Sequence, residues 1–356
     1  MTRIVVCLDG MDPAYLDAVE TPAWDAIAAE GSSGTCRSVV PSLTNVNNVS
    51  IVTGAFPEQH GITGNTYFDR EAGERVYMEE PSYLRCETRL QRYAAAGEDV
   101  AALVTKQKLE RMVGRGCDYA AAAEDPPADL AAAVGEAPGI YSGDASAWLV
   151  AAAEHVLETR APDVCYVSTT DVVPHKHEPG TPEAEEWVRA MDAGLGRLRE
   201  HGDVVATADH GMRAKTDRVD VEAVLDDEGY DATVIRLIRD KHTYHHRNLG
   251  GSAYVYLHDA DADDVAWLED VAGVEAALPT AEATARFHLP ADRVGDVMLL
   301  GTPTSVFGPI EGDATHDEVS LRSHGSHHES SVPYVASVDC DLSHNVEAFD
   351  ALDASR

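Results

Sequence analysis

The sequence has few basic residues. It contains 27 lysines and arginines against 62 aspartates and glutamates, which gives a formal net charge of −35, and only five of the basic residues are lysine. So acidic a surface repels nucleic acids and anionic membranes, which excludes both classes of partner. Self-repulsion would also loosen the fold unless dissolved salt screens it. We therefore predict a halophilic cytoplasm as the setting of this protein.

The sequence also lacks the segments that take proteins into or across membranes. No apolar run approaches the ~20 residues that span a bilayer, and the first residues enter a strand-like run instead of a basic and then apolar leader. We predict a cytoplasmic protein whose oligomeric state stays open, a homodimer included. The six cysteines show no CxxC spacing, which favours reduced structural thiols over a zinc or redox site. They are Cys7, Cys36, Cys86, Cys117, Cys165 and Cys340.

Short runs rich in valine, isoleucine and alanine alternate with longer stretches of helical periodicity. This alternation predicts an α/β fold in which a mostly parallel central sheet is flanked by helices. The predicted buried strands span residues 3–8, 99–105, 163–169 and 203–208, and the predicted helices span residues 145–160 and 182–200.

The pattern becomes shorter and more mixed over residues 215–320. We predict a catalytic core that begins with residues 1–214, is interrupted by a smaller α+β cap-like insertion at 215–320, and ends with residues 321–356. The cap elements predicted from sequence are strands at 252–257 and 295–300 and an acidic helix at 260–271. Residues 118–139, rich in alanine, acidic residues and proline, are predicted to form a solvated loop.

Three of the predicted buried strands run directly into an aspartate. The strand ends read CLDG, STTD and TADHG, which places Asp9, Asp171 and Asp209 at one edge of a parallel sheet. His175 follows in TTDVVPH, and His210 follows Asp209 at once. A single aspartate at a strand end is more often a helix cap or turn former, but three of them with histidines favour a centre of two divalent cations. Zinc, manganese and iron all accept such ligands.

A histidine-rich stretch and a hydroxyl-rich stretch complete the candidate site. RSHGSHHESS supplies His324, His327 and His328 before a final strand-like run. In PSLTNVNNVSIVTG, the residues from Asn47 onward predict a short helix capped by asparagine, with Thr44 in a loop at its N-terminus, where a phosphoryl anion binds well. A threonine alone is more often a local cap, whereas one beside a cation can serve as a nucleophile.

These motifs, in this order, resemble the alkaline phosphatase superfamily from residue 3 to about residue 335. The matching motifs are DG at 9–10, the threonine motif, HG at 60–61, DxxxH at 171–175, DHG at 209–211 and HG at 324–325. The resemblance implies an alkaline-phosphatase-like fold with two metal ions and Thr44 as the nucleophile. It implies one zinc ion on Asp171, His175 and His324 and a second on Asp9, Asp209 and His210, with Thr44 bridging toward the second.

Within the superfamily the chain resembles the branch that contains nucleotide pyrophosphatase/phosphodiesterases and phosphonoacetate hydrolases. Asn45 and Asn48 stand where the diesterases usually have an aromatic residue and a histidine, while TNxNN, HGITGN and VTKQKL are similar to phosphonoacetate hydrolase motifs. That resemblance implies hydrolysis of phosphonoacetate to acetate and phosphate through a phosphothreonine. The substrate-binding residues that it implies are Asn65, Lys106, Lys108 and His175.

Physical reasoning supports a role for the two neighbouring lysines. Positions i and i+2 of an extended segment face the same way, and Lys106 and Lys108 follow directly from a predicted strand. We therefore predict that they serve the site, although a solvated pair at a helix start is the alternative.

Other polar residues near these motifs have less definite roles. We predict that Lys176 and His177 lie behind the metal ligands and that His60 is structural. No role is assigned to His245, His246 and Arg247, which could face the cleft from the cap.

Two other functions stay open at this point. A phosphodiesterase or nucleotide pyrophosphatase would need an aromatic slot for a base, and in a chain with 5 Phe and 4 Trp that slot would draw on Tyr67, Tyr77 or Tyr83. The alternative from another class is a metal-stabilised protein that binds ligands without turnover.

Overall fold

The computed structural model describes residues 1–241 and 245–355 of the chain. The strands, in chain order, are β1 Thr2–Cys7, β2 Ser32–Arg37, β3 Thr66–Asp69, β4 Glu74–Tyr77, β5 Val100–Val104, β6 Tyr119–Ala122, β7 Val164–Ser168, β8 Gly202–Thr207, β9 Arg213–Val219, β10 Ala232–Arg236, β11 Ser252–Leu257, β12 Val274–Pro279, β13 Val297–Gly301, β14 Ser305–Phe307, β15 His316–Ser323 and β16 Ser331–Ala336.

Helices connect most of these strands. The α-helices are α1 Pro13–Asp17, α2 Pro22–Glu30, α3 Thr44–Thr53, α4 Pro57–His60, α5 Arg89–Ala95, α6 Gln107–Val113, α7 Ala128–Val134, α8 Ala145–Arg160, α9 Val172–Lys176, α10 Pro182–Arg199, α11 Val221–Asp227, α12 Thr280–Phe287 and α13 Ala348–Ala354. Short 3₁₀ helices cover Pro81–Tyr83, Ala262–Asp270, Ala291–Arg293, His327–Glu329 and Asn345–Glu347. Among the helices of the described residues, none has both the length and the apolar composition that a membrane crossing requires.

The central sheet has seven strands in the order β2-β16-β8-β1-β7-β5-β6. The five neighbours from β8 to β6 run parallel, and β16 runs antiparallel to both β8 and β2. Every residue of β1, β5 and β7 is buried, which explains why these strands are nearly continuous apolar runs instead of alternating ones. The predicted α/β class is confirmed, and the four predicted core strands and helices α8 and α10 lie where the sequence placed them.

Two smaller sheets are formed by the chain between Arg213 and Ser323. One has four antiparallel strands in the order β10-β11-β13-β12, and the other has three in the order β14-β9-β15. They share a separate hydrophobic core that includes Leu268 and Phe307. Strands β11 and β13 match the predicted strands at 252–257 and 295–300. The boundaries of a cap domain remain a prediction.

Two predictions of local structure are wrong. The segment 118–139 is not a solvated loop, because Tyr119–Ala122 forms edge strand β6 beside β5 and Ala128–Val134 forms α7. Composition was misleading because alanine, which dominates both elements, is the strongest helix former and also fits a short strand paired to a buried neighbour. The predicted helix at 260–271 is a kinked 3₁₀ helix, Ala262–Asp270.

Helix α3 begins at Thr44, three residues earlier than predicted. Leu43 occupies the N-cap position. Asn47 does not cap the helix, because its Oδ1 accepts from the Val39 N–H (2.7 Å) and its Nδ2 donates to the Val39 carbonyl (3.0 Å). Thr44 is therefore the first residue of the helix and not part of a preceding loop.

Candidate active site

Three aspartates meet at the carboxyl edge of the central sheet. Asp9, Asp171 and Asp209 follow the neighbouring parallel strands β1, β7 and β8, and each is at most 1% exposed. The Asp9 N–H donates to Thr169 Oγ1 (2.9 Å), and the Gly10 N–H donates to Asp209 Oδ1 (3.1 Å), so the loops brace one another. Gly10 has a φ of +75°, and a Cβ there would lie 2.9 Å from the Asp171 Cβ, so this close approach requires glycine.

Two groups of side chains at this edge could hold a metal ion. In the first, Asp171 Oδ2 lies 2.9 Å from His175 Nε2 and 3.7 Å from His324 Nε2. In the second, which consists of Asp9, Asp171 and His210, Asp9 Oδ1 lies 3.3 Å from His210 Nε2. Within each group the ligand atoms all lie within 4.8 Å of one another. The structure thus brings together five of the six metal ligands predicted from sequence, and the sixth, an aspartate, lies beside them.

The three histidines of these groups present the same ring nitrogen. The Nδ1 atoms of His175, His210 and His324 lie 2.7, 3.0 and 2.7 Å from the backbone carbonyl oxygens of Arg322, Gly211 and Ser42. Because a carbonyl can only accept, each Nδ1 carries the proton, and the lone pair of each Nε2 points toward the carboxylates. Proteins orient metal-binding imidazoles in this way.

The clustered carboxylates give the site an excess of negative charge. Burial, together with the charges of Asp171 and Asp209, raises the pKa of Asp9 well above its ordinary value. Asp9 Oδ2 and His175 Nε2 are buried, yet neither has a hydrogen-bond partner among the residues that the structure describes. Divalent cations would satisfy these atoms and supply the missing charge, so the side chains present fit such ions.

Thr44 lies beside the second group. Its Oγ1 is 3.3 Å from His210 Nε2 and 3.5 Å from Asp9 Oδ1, and Asp209 Oδ2 is 3.6 Å from the same imidazole nitrogen. As the first residue of α3, Thr44 stands at the positive end of the helix dipole. Asn48, one turn further on, donates to the Thr44 carbonyl (2.9 Å) and to Asp209 Oδ2 (3.4 Å). The asparagine that departs from the diesterase pattern therefore ties α3 to the metal-ligand side chains.

Two lysines line the cleft into which Thr44 opens. Lys106 is the N-cap of α6 and Lys108 lies in its first turn, so the predicted extended segment is wrong, although both side chains reach the cleft. Lys108 pairs with the buried Asp240, whereas Lys106 has no ion pair with any described residue. Burial lowers the pKa of Lys106, but nearby aspartates, Asp171 foremost, outweigh burial and raise it above its ordinary value. Its ammonium group therefore stays charged.

Asn65 lies in the same cleft. Its Oδ1 accepts from Asn45 Nδ2 (2.7 Å), and its Nδ2 donates to the Ile238 carbonyl (3.0 Å). These bonds fix the amide plane and leave the second N–H of Nδ2 for a ligand.

Sequence reasoning assigned no role to two residues that the structure places in the cleft, His245 and Asp240. His245 Nε2 lies 3.0 Å from Asp171 Oδ1, and its ring centroid is 4.7 Å from that of His175, with His246 buried beside them. Burial raises the pKa of Asp171, but the neighbouring His175 and His245 outweigh burial and hold it well below its ordinary value. The adjacent histidines of TYHHRN were the available signal for His245, whereas no motif pointed to Asp240.

The remaining candidates lie farther out. Lys176 is exposed and donates to the Tyr141 carbonyl (3.2 Å), and the His177 ring faces Glu183 (3.7 Å). Arg247 is exposed. The prediction that Lys176 and His177 lie behind the metal ligands is therefore wrong, because their side chains contact Tyr141 and Glu183 and not a predicted ligand.

Comparison with known proteins shows which family and which solved structures this chain resembles. The model of the type I phosphodiesterase / nucleotide pyrophosphatase family matches residues 3–328. A solved phosphonoacetate hydrolase of Sinorhizobium meliloti 1021, in complex with phosphonoformate, has a TM-score of 0.93 and 35% sequence identity, over 100% of this chain and 96% of that chain. Human ectonucleotide pyrophosphatase / phosphodiesterase 5 has a TM-score of 0.73 at 16% identity, over 100% of this chain and 94% of that chain, which shows a shared fold.

A sequence relative extends the comparison. An uncharacterized pyrophosphatase/phosphodiesterase of Schizosaccharomyces pombe is 25% identical over 242 residues, which cover 61% of this chain and 46% of that protein. The chain thus spans less than half the length of this curated relative. The family match includes all three aspartates, the three histidines and Thr44 of the candidate site. The chain belongs to the type I phosphodiesterase / nucleotide pyrophosphatase family, within the alkaline phosphatase superfamily.

Proposed function

We propose that the protein is a metal-dependent hydrolase that cleaves the P–C bond of phosphonoacetate to give acetate and phosphate. The observation that carries this proposal is that Thr44 and Lys106 line one cleft beside the metal-ligand side chains. A hydroxyl nucleophile and a charged ammonium in the same small cleft suit a substrate with a phosphonate at one end and a carboxylate at the other. The 35% identity to a phosphonoacetate hydrolase over the whole chain supports the same substrate.

We propose two divalent cations at the aspartate edge. The first would be held by Asp171, His175 and His324, and the second by Asp9, Asp209 and His210, with Thr44 beside it. Bound there, the cations would neutralise the phosphonate oxygens and lower the pKa of the threonine hydroxyl. The mixture of imidazole and carboxylate ligands suits zinc, and it also accepts manganese or iron.

The residues of the chain divide the reaction into two steps. In the first, the Thr44 hydroxyl gives its proton to solvent, its Oγ1 forms a bond to phosphorus, and the P–C bond breaks. The electron pair stays on the departing carbon, delocalises onto the carboxylate, and is protonated from solvent to give acetate. In the second, water attacks the phosphothreonine, releases inorganic phosphate and restores Thr44, with His175 beside the departing group.

Lys106 would stabilise the leaving group. A carbanion is a poor leaving group, and an ammonium beside its carboxylate stabilises the charge as it develops in the transition state. Lys106 suits this role because its pKa is raised by the neighbouring aspartates and because it has no ion pair with a described residue. Lys108 is paired with Asp240, so we propose that it contacts the substrate carboxylate as part of that pair. Asn65 would donate to a phosphonate oxygen.

Phosphate release from phosphonoacetate tests this proposal. The purified protein, loaded with zinc, should release phosphate and acetate in equal amounts, and removal of the metal by a chelator should abolish the reaction until zinc is restored. Thr44→Ala should lose all turnover with an unchanged metal content, while Thr44→Ser should keep part of it. No phosphate from phosphonoacetate, together with hydrolysis of a nitrophenyl nucleotide ester, would defeat the proposed substrate.

The second candidate is a phosphodiesterase or nucleotide pyrophosphatase, which the family match favours. The cleft argues against it, because its described lining includes no Tyr, Phe or Trp on which a base could stack. Tyr67 and Tyr83 instead contact each other, with ring centroids 6.3 Å apart, away from the lining. If the protein binds zinc but hydrolyses neither phosphonoacetate nor the nucleotide ester, the non-catalytic binding protein becomes the better interpretation.

The proposed setting is a cytoplasm of high ionic strength. The net charge of −35 supports this setting, because salt screens the acidic surface while the charges inside the cleft are screened much less. Under these conditions an acidic protein can still bind an anionic substrate.

A further inference from the structure

A further group of side chains that could hold a metal ion lies outside the cleft. It consists of Glu275, His327 and His328, whose ligand atoms all lie within 4.8 Å of one another. Glu275 Oε1 is 3.3 Å from His327 Nε2, and the other carboxylate oxygen contacts His328 Nε2. The two imidazole rings are tilted against each other, with a centroid distance of 4.1 Å and an interplanar angle of 37°. One carboxylate therefore faces two imidazole nitrogens at once.

The fold holds both histidines in place. They open the 3₁₀ helix His327–Glu329, whose N-cap Ser326 is closed by a capping box with Glu329. The side chains of Glu329 and Lys215 are fully buried, and Lys215 Nζ lies 2.9 Å from the Glu329 carboxylate. The histidines thus lie on a short element that a buried ion pair anchors from below.

The carboxylate comes from a different sheet. Glu275 lies in β12, at an irregularity in the pairing with β13 between Val274 and Ala276. Such bulges re-aim a side chain relative to a regular strand. Here the side chain reaches the 3₁₀ helix that carries His327 and His328, 52 and 53 positions later in the chain.

An ion pair between the glutamate and charged histidines is the simplest alternative. Two charged imidazolium rings with centroids 4.1 Å apart would repel each other, which disfavours an ion pair that uses both histidines. His327 Nδ1 is buried without a hydrogen-bond partner among the described residues. Both Nε2 atoms thus face one carboxylate, an arrangement that a metal ion shared by the three side chains would explain better than a simple ion pair.

We propose that Glu275, His327 and His328 form an additional divalent metal site, distinct from the pair of ions in the cleft. Two imidazoles and a carboxylate suit zinc or a similar transition ion rather than magnesium or calcium, which prefer oxygen ligands alone. The three side chains are only partly buried, with exposures of 37%, 23% and 19%, so an ion can enter from solvent and keep water as its remaining ligand.

The position of the site gives it a structural role. His327 is three residues after His324, which lies in the first metal-ligand group of the cleft. Glu275 belongs to the four-stranded sheet. An ion shared by Glu275 and the two histidines would therefore connect this sheet to the segment that carries His324. It would stabilise the protein because it binds the folded chain and not the unfolded chain.

Metal counting tests the proposal. The full chain, stripped with a chelator, is reloaded with zinc, desalted and analysed for metal per chain, alongside Glu275→Gln and His328→Asn. Each variant should hold one zinc ion fewer than the wild type, and the wild type should lose more thermal stability on chelation than either variant. Glu282→Gln, which removes an exposed carboxylate from α12, is the matched control and should keep the wild-type count.

The result depends on the difference in zinc content between the wild type and each variant, and not on the total zinc content of either. If the ions proposed for the cleft do not bind, the wild type still exceeds Glu275→Gln by one ion, so failure of the proposed function does not mask this site. Equal zinc content in the wild type and in a folded Glu275→Gln or His328→Asn variant would overturn the proposal. The histidine variant answers the same question should the glutamate variant not fold.

Discussion

At the scale of single residues, Lys106 is predicted to distinguish phosphonate hydrolysis from ester hydrolysis. Its charge matters most when carbon departs with an electron pair, whereas the nitrophenol of a nitrophenyl ester leaves as a stable anion without such help. We expect Lys106→Met to lower kcat/KM for phosphonoacetate about 100-fold or more, and to lower that for a nitrophenyl phosphate ester by less than about 10-fold. Steady-state kinetics with both substrates measures this ratio.

The control for Lys106 is Lys176→Met, which removes a lysine that is exposed and bonded only to the Tyr141 carbonyl among the described residues. It should leave both substrates unaffected. Equal losses on the phosphonate and the ester in Lys106→Met would show that the lysine contributes general electrostatics and not leaving-group stabilisation.

His60 is predicted to give the protein a defined sensitivity to acid. It is fully buried, its Nδ1 accepts from the Ile62 N–H (3.1 Å), and its Nε2 therefore donates to Ser50 Oγ (2.9 Å). Burial lowers the pKa of His60 from 6.5 to about 3. Between these values the unfolded chain binds a proton that the folded chain does not, so this contribution to stability is complete above pH 6.5 and is lost as the pH falls toward 3.

Urea unfolding of the wild type and His60→Gln measures this effect. Near pH 4.5 the wild type should have lost roughly 2.5 kcal/mol more of its unfolding free energy, relative to pH 7, than the variant, which has no imidazole to protonate. The carboxylates and the other histidines titrate in the same way in both proteins, so their contributions cancel in the comparison. Parallel stability curves would show that His60 does not bury its neutral form.

At the scale of elements, strand β9 is joined to the segment after His324 by a buried charge pair. Lys215 Nζ lies 2.9 Å from Glu329 Oε1 and 3.0 Å from the Pro303 carbonyl, and both charged side chains are fully buried. Removing one partner leaves the other charge buried and alone, so Lys215→Met should lower the unfolding free energy by roughly 3 to 5 kcal/mol.

The double variant Lys215→Met/Glu329→Gln is the matched comparison. It removes both charges while its glutamine can still accept from the Ser326 N–H, so it should recover most of the loss seen in chemical denaturation. A double variant as unstable as the single one would mean that Lys215 contributes by packing and not by compensating Glu329.

The elements also show how far sequence reasoning reaches. Strands β1, β7 and β8 were predictable because strands buried on both faces become apolar runs, and the aspartates at their ends followed from the geometry of a parallel sheet. The start of α3 was not, because Asn47 bonds the Val39 backbone, a contact set by tertiary structure. Asp240 and His245 reach the cleft from the chain after β10, and no periodicity encodes how that segment packs on the core.

At the scale of the whole molecule, the excess of acidic residues should make stability depend on salt. The screening length shrinks from about 10 Å at 0.1 M salt to about 3 Å at 1 M, so repulsion across a surface of net charge −35 weakens over this range. We expect Tm to rise by several degrees between about 0.1 M and about 1 M KCl, and to rise similarly with NaCl. A Tm that does not depend on salt would contradict the halophilic setting.

The central claim is that Thr44 accepts the phosphoryl group while the metal-ligand side chains surround it. Rapid acid quenching during turnover of phosphonoacetate, followed by digestion and mass spectrometry, tests this claim most directly. The account predicts a phosphoryl group on Thr44 itself, which increases with substrate concentration and is missing from Thr44→Ala. Turnover at full rate with no phosphorylated peptide, or with the phosphoryl group on another residue, would contradict it.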